Sequence, residues 1–215
     1  MEDPTSSKRT YYSPRRQEQA RETRQKVLAA AERLFAAHGY VATTLPSIAR
    51  EAGVSPATVT VAFGTKPALL DALIKSTVRG DDTPAPVADR AWWREMLHEP
   101  DSRRQLALFA AIGRRIHERT TDIAEIVRGA AAADPEIAAM RRALSESRLQ
   151  DTREVAESLA GKGALAPGIT LDQAADQLWA VGSSEIYRML VVDRGWSPEQ
   201  YERWLASSLI CSLLG

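Results

Sequence analysis

Between Thr44 and Phe63 the chain has room for only two short helices and a tight turn, and no other stretch constrains the fold as strongly. Thr44 is placed to cap a helix over residues 45–52, with Pro46 tolerated in its first turn. Gly53-Val54-Ser55 reads as a turn, and Ser55 as the cap of a second helix that starts at Pro56 and ends near Ala62. Gly64-Thr65 interrupts it, and Thr65 caps a longer helix over 66–78. Ile48, Ala49, Val54, Val59 and Phe63 fall where two such helices would cross, and small Ala49 and Ala52 let them approach closely. This is the pattern of a helix-turn-helix, whose second helix projects its outer face at a width suited to a DNA major groove of about 12 Å. On that helix Val59 is expected to face inward, with Pro56, Ala57, Thr58 and Thr60 outward.

The flanking sequence reads as helix throughout. Val27, Leu28, Ala31, Leu34 and Phe35 form one apolar stripe of a helix that begins near Arg15 and stops at Gly39. Residues 1–14 read as a flexible basic tail, 15–80 as a helix-turn-helix domain, and 81–215 as a larger helical domain. The linker between them is Gly80-Asp-Asp-Thr-Pro-Ala-Pro86. Expected helices in the second domain span 86–98, 101–119, 121–132, 135–161, 171–192 and 198–213, with a possible kink at Gly113. No alternating β-branched segment is long enough for a sheet, so the class is all-α. Net charge sharpens the division: residues 1–80 hold 12 Lys and Arg against 7 Asp and Glu, and 81–215 hold 16 against 21. The split suggests that only the front half meets a polyanion, the plain alternative being a chance asymmetry on a solvated surface. One cysteine, Cys211, no secretory h-region and no long uncharged apolar run predict a cytoplasmic protein without a membrane span.

The run Phe35-Ala-Ala-His-Gly39-Tyr40-Val-Ala-Thr43-Thr44-Leu-Pro-Ser-Ile48-Ala49-Arg-Glu-Ala52-Gly53-Val54-Ser55-Pro-Ala-Thr58-Val59, followed by Phe63-Gly-Thr-Lys66-Pro-Ala-Leu69-Leu70, resembles the tetracycline-repressor (TetR) family over about 50 residues. The resemblance implies a scaffolding first helix, a recognition helix at 56–62, and a fourth helix that joins the DNA-binding domain to a ligand-binding and dimerisation domain. It also implies that Lys66 reaches a phosphate. Thr44 sits where its hydroxyl and neighbouring amides favour an anion, and it also serves as a plain N-cap. The sequence departs from the family at Thr60 and Ala62, where an aromatic phosphate contact and a further aromatic or histidine are common. Base reading is therefore expected to be thin: Thr58 and Thr60 by hydroxyl or methyl, and Ala57 near a thymine methyl. Lys8, Arg9, Arg15, Arg16, Arg21, Arg24 and Lys26, with Tyr11 and Tyr12 among them, form a basic arm suited to a minor groove or to phosphates, or else a solvated tail.

In the second domain, Leu178, Gly182 and Ile186 on one helix, with Tyr201, Trp204, Leu205, Ser208 and Leu209 on the last, form stripes suited to a four-helix homodimer interface; the plain alternative is packing within one chain. Trp92, Trp93, Met96, Phe109, Ile112, Ile116, His117, Met140, Leu144 and Trp179 are candidates to line a pocket for a small-molecule effector, and each is equally suited to plain core. The expected partners are double-stranded operator DNA, an effector of unknown identity and a second copy of the chain, with no cofactor. The expected activity is repression relieved by the effector. The alternative is a helical binding protein or enzyme that has lost specific DNA reading. His38, His98 and His117 lack metal-ligand spacing, so neither a metal nor a catalytic site is expected. Gly161-Lys-Gly163-Ala-Leu-Ala166 follows a helix rather than a strand and reads as a helix-ending loop.

Overall fold

The computed structural model describes residues 14–79 and 87–215, and among these the regular structure is helical, with one isolated bridge between Leu165 and Leu214. The expected tail and linker lie outside the described residues except for Pro14. Ten α-helices follow in order: α1 Pro14–Ala42, α2 Leu45–Glu51, α3 Pro56–Phe63, α4 Lys66–Arg79, α5 Ala91–His98, α6 Ser102–Ala131, α7 Pro135–Gly161, α8 Leu171–Val181, α9 Ser184–Tyr187 and α10 Pro198–Leu213. A 3-10 turn, Val87–Asp89, precedes α5, and a π-helical segment, Arg188–Asp193, follows α9. Helical geometry in α1 is interrupted at Gly39, as the sequence suggests.

Two expectations of the helix reading are corrected. The separate helices over 101–119 and 121–132 are one helix, α6. The β-branched pair Thr120-Thr121 stays helical, each hydroxyl donating back to a carbonyl four residues earlier, Thr120 to Ile116 at 2.9 Å and Thr121 to His117 at 2.6 Å. Gly113 marks no break; a Cβ there would rest against Leu205 of α10 at 3.9 Å. Conversely, the expected helix over 171–192 is broken at Gly182. A Cβ at Gly182 would lie 2.7 Å from the Leu178 carbonyl oxygen and 3.3 Å from the Phe109 ring, so the close approach of α6 needs a glycine. Ser183 then caps α9 by accepting from the Ile186 N–H.

Buried apolar side chains gather into two cores. The first holds the inner faces of α1–α4 (Val27, Phe35, Ile48, Val59, Leu69, Leu70 and Ile74 among them) and is completed by Ile123, Val127 and Ala130 of α6 and Ile137 of α7. The second packs α5, the first half of α6, the second half of α7, α8 and α10 around Met96, Leu106, Leu159, Leu178, Tyr201 and Leu205. The long helices α6 and α7 therefore belong to both cores.

Candidate nucleic-acid interface

The α2–α3 pair is built from its caps inward. Thr44 Oγ1 accepts the Ser47 N–H at 3.2 Å while Ser47 Oγ accepts the Thr44 N–H at 3.0 Å, a reciprocal capping box. Ala52 closes α2, and Gly53 takes the turn with φ +68°, a conformation that a side chain resists. Ser55 then accepts the Thr58 N–H at 3.1 Å and opens α3. Ile48, Ala49, Val59 and Phe63 are buried between α1, α2, α3 and α4, fixing the angle at which α3 stands out.

Lys66 differs from its expected role. Its ammonium donates to the carbonyls of Tyr40 at 2.9 Å and Thr43 at 3.0 Å and lies 4.1 Å from the centre of the Tyr40 ring. Those carbonyls lie at and just past the end of α1, beyond its last intrahelical N–H, and the Tyr40 carbonyl also accepts the Thr43 N–H at 3.3 Å. Lys66 thus pins the start of α4 to the end of α1 in the chain by itself. Burial lowers its pKa, with the Asp134 carboxylate opposing the shift. The Tyr40 hydroxyl donates to Asp134 at 3.4 Å, and Asp134 is the N-cap of α7. A second tie binds the other end of α4: Arg119 of α6 donates to the carbonyls of Thr77 and Val78 at 3.3 and 3.1 Å.

The outer face of α3 is less polar than its threonines suggest. Thr58 is half-buried and its hydroxyl shares a proton with Ser55 at 2.8 Å. Thr60 donates its hydroxyl proton to the Pro56 carbonyl at 3.2 Å. Pro56, Ala57, Thr60, Val61 and Ala62 are exposed, and Val61 is the most exposed large apolar residue described, at 89%. The sequence reading missed Val61. Its position four residues after Ala57, opposite buried Val59 and Phe63, was the available signal. Arg24 of α1 lies 4.4 Å from the Phe63 ring centre and donates to the Ala62 carbonyl at 3.3 Å, placing a cation beside the end of α3. Arg15 is exposed on the first turn of α1, and the side chain of Arg16 lies outside the described residues.

The expected pocket residues do not line one space. Trp92, Trp93, Met96, Phe109, Ile112 and Ile116 belong to or pack on the second core, whereas Met140 and Leu144 pack on the first. His117 and Trp179 meet at the Gly182 break instead. His117 Nε2 lies 3.1 Å from the Gly182 carbonyl and must donate to it, which leaves Nδ1 as an acceptor, buried and without a hydrogen-bond partner among the described residues. The Tyr201 hydroxyl is buried and unpartnered in the same way. The two rings stand 6.3 Å apart, with Tyr187 5.4 Å from His117 and 4.8 Å from Tyr201. Arg148 donates to the Trp179 carbonyl at 2.6 Å and lies 4.7 Å from the Trp179 ring centre. Burial pushes the His117 imidazole down to about 4, so it is neutral at pH 7.

Residues 27–73 match the family described as bacterial regulatory proteins, tetR family. This segment is a tetR-family DNA-binding domain. The chain is a DNA-binding transcriptional regulator, and α1–α4 form its helix-turn-helix domain. Its fold is also that of three solved structures. SmeT of Stenotrophomonas maltophilia in complex with triclosan is 20% identical over 90% of this chain and 92% of its own, with a TM-score of 0.70. NalD, the secondary repressor of the MexAB-OprM multidrug efflux pump in Pseudomonas aeruginosa, is 24% identical over 92% and 98%, with a TM-score of 0.69. A protein from Saccharomonospora viridis in complex with choline is 20% identical over 91% and 99%, with a TM-score of 0.67. No curated protein matches the sequence.

In this regulator half of the expected dimer residues face inward. Leu178, Tyr201, Leu205 and Leu209 are fully buried in their own chain's second core. Their stripe is the inner face of α8 and α10, and a hydrophobic stripe alone does not say which partner covers it. Gly182, Ile186, Trp204 and Ser208 remain half-exposed, with Ser207 and Cys211 exposed beside them on α10. The Gly161–Ala166 stretch is the loop that ends α7, as expected. Among the described residues no single helix is long and apolar enough to cross a membrane.

Proposed function

We propose that the chain is a homodimeric, non-enzymatic repressor that binds a pseudopalindromic operator through α2 and α3 and is released by a small-molecule effector. Residues 15–80 act as the reader, 81–215 as the sensor and dimerisation domain, and the basic segment before α1 as an arm along the DNA. The observation that carries this reading is the shared first core. Ile123, Val127, Ala130 and Ile137 complete the packing of α1–α4, and Arg119 holds the last carbonyls of α4. A ligand that shifts α6 or α7 therefore shifts the frame on which α3 stands. It can do so only through unequal affinity for the two packings, typically worth about 1–3 kcal/mol.

The effector site is placed at the Gly182 break, between α6, α7, α8, α9 and α10. There the unpartnered His117 Nδ1 and Tyr201 hydroxyl lie in an aromatic surround, so a ligand that donates to Nδ1 recovers a hydrogen bond the apo protein lacks. The dimer forms through the outer faces of α8 and α10, with Trp204 and Ser208 near the two-fold axis. Two of the structural neighbours were solved with triclosan and choline bound, which makes those compounds the first probes. Selection of duplexes from a random pool, then anisotropy titration of the enriched duplex with and without each compound, tests the reading. A pseudopalindrome bound by two chains, with at least tenfold weaker binding in one compound and loss of that response in His117→Asn, is expected. No enriched duplex sinks the reading.

A further inference from the structure

The outer face of α3 offers a DNA base almost nothing but methyl groups. Its only polar side chains are Thr58 and Thr60; the first is half-buried against Ser55, and the second has turned its proton onto the Pro56 carbonyl. Neither a bidentate amide nor a guanidinium projects from α3 itself. What does project is Ala57 and, one turn on, Val61 at 89% exposure, flanked by Thr60 and Ala62. An isopropyl group held in water on a helix whose other face is fully packed contributes nothing to folding. A methyl group in the groove of a bound duplex would bury it. In the major groove, the apolar feature that a base pair presents is the C5-methyl of thymine, and it distinguishes T from C, and A·T from T·A, without any hydrogen bond.

We propose that Val61, with Ala57 beside it, is the specificity-determining residue of this regulator and reads thymine methyl groups in each half-site. This rests on α3 being the helix that enters the groove. Arg24 serves binding to the sugar-phosphate chain and carries no sequence information. Specificity is then hydrophobic. It is set by the number of thymine methyls that Val61 covers and is insensitive to salt, whereas overall affinity remains salt-dependent.

The test uses the full-length protein and the duplex enriched by selection, with deoxyuridine replacing each thymidine in turn. That exchange removes only the methyl and leaves pairing intact. At one or two positions per half-site, uracil is expected to weaken binding about fourfold, the value of one buried methyl. Val61→Ala, at a solvated position that does not endanger folding, is expected to bind the thymine and uracil duplexes within twofold of each other. Uracil at every position leaving the wild-type Kd unchanged would overturn the proposal, as would Val61→Ala retaining the full uracil penalty. Either result, obtained on a duplex that the protein binds selectively, leaves α3 as the reader and removes only its methyl code. Failure to enrich any duplex removes both.

Discussion

Around α2 and α3 the polar side chains close helix ends, whereas around the Gly182 break two buried polar atoms find no partner among the described residues. Thr44, Ser47, Ser55 and Lys66 each satisfy a backbone group within about 3 Å, and the unpartnered buried atoms His117 Nδ1 and Tyr201 hydroxyl both lie in the other half. The local geometry differs in the same sense. In the first region a single glycine turn joins two capped helices, while in the second a broken helix, a one-turn helix and a π-helical segment follow one another. A reader of DNA must present α3 at a fixed angle, and Thr44, Ser47, Ser55 and Lys66 hold the helix ends that set it. In the sensor proposed above, a ligand that pairs these two atoms would recover hydrogen bonds that the buried groups otherwise forgo.

Three variants break or sharpen that contrast. The largest effect is expected from Ile137→Ala. The side chain is fully buried in the first core yet lies on α7, so the cavity should cost about 2–5 kcal/mol. Hydrogen exchange should quicken in α1 and α4 as well as in α7; acceleration confined to α7 would mean that the two regions are mechanically separate.

The second turns on pH. His117 titrates at about 4 in the folded protein and near 6.5 when unfolded, so between those values the unfolded chain binds more protons. Its contribution is complete above pH 6.5 and is lost as pH falls towards 4, by about 3 kcal/mol in all. Asp151, which burial and Glu154 raise to about 6, works in the opposite direction over the same window and masks the slope in the wild type. Comparison with His117→Asn cancels the Asp151 contribution. The stability difference between the two proteins in urea should shrink as pH falls from 7 to 4.5, and a constant difference would show that the imidazole is not held neutral.

The smallest effect is expected from Lys66→Met, which keeps the stem and removes the ammonium from the Tyr40 and Thr43 carbonyls. A loss of about 1–3 kcal/mol is expected in thermal melts. DNA binding measured well below the new Tm should stay within threefold. A larger loss of affinity with unchanged stability would restore Lys66 to the DNA backbone.

The sequence by itself determined what depends on neighbours along the chain. Thr44, Ser55 and Asp134 cap helices because their oxygens reach an N–H two or three residues ahead; Gly53 turns because only it relaxes at positive φ; the stripe from Val27 to Phe35 is buried because its period is helical. Those local rules located the reader almost residue by residue. Tertiary structure alone decided which partner each exposed or apolar face meets. Tyr201, Leu205 and Leu209 turn to their own chain rather than to a second copy, and Lys66 meets carbonyls 23 and 26 residues away. Met140 and Leu144 join the first core, and His117 meets the carbonyl of Gly182, 65 residues further on. Periodicity records that a face is apolar and composition records that a charge is present, but the identity of the surface opposite is fixed only when the long helices cross.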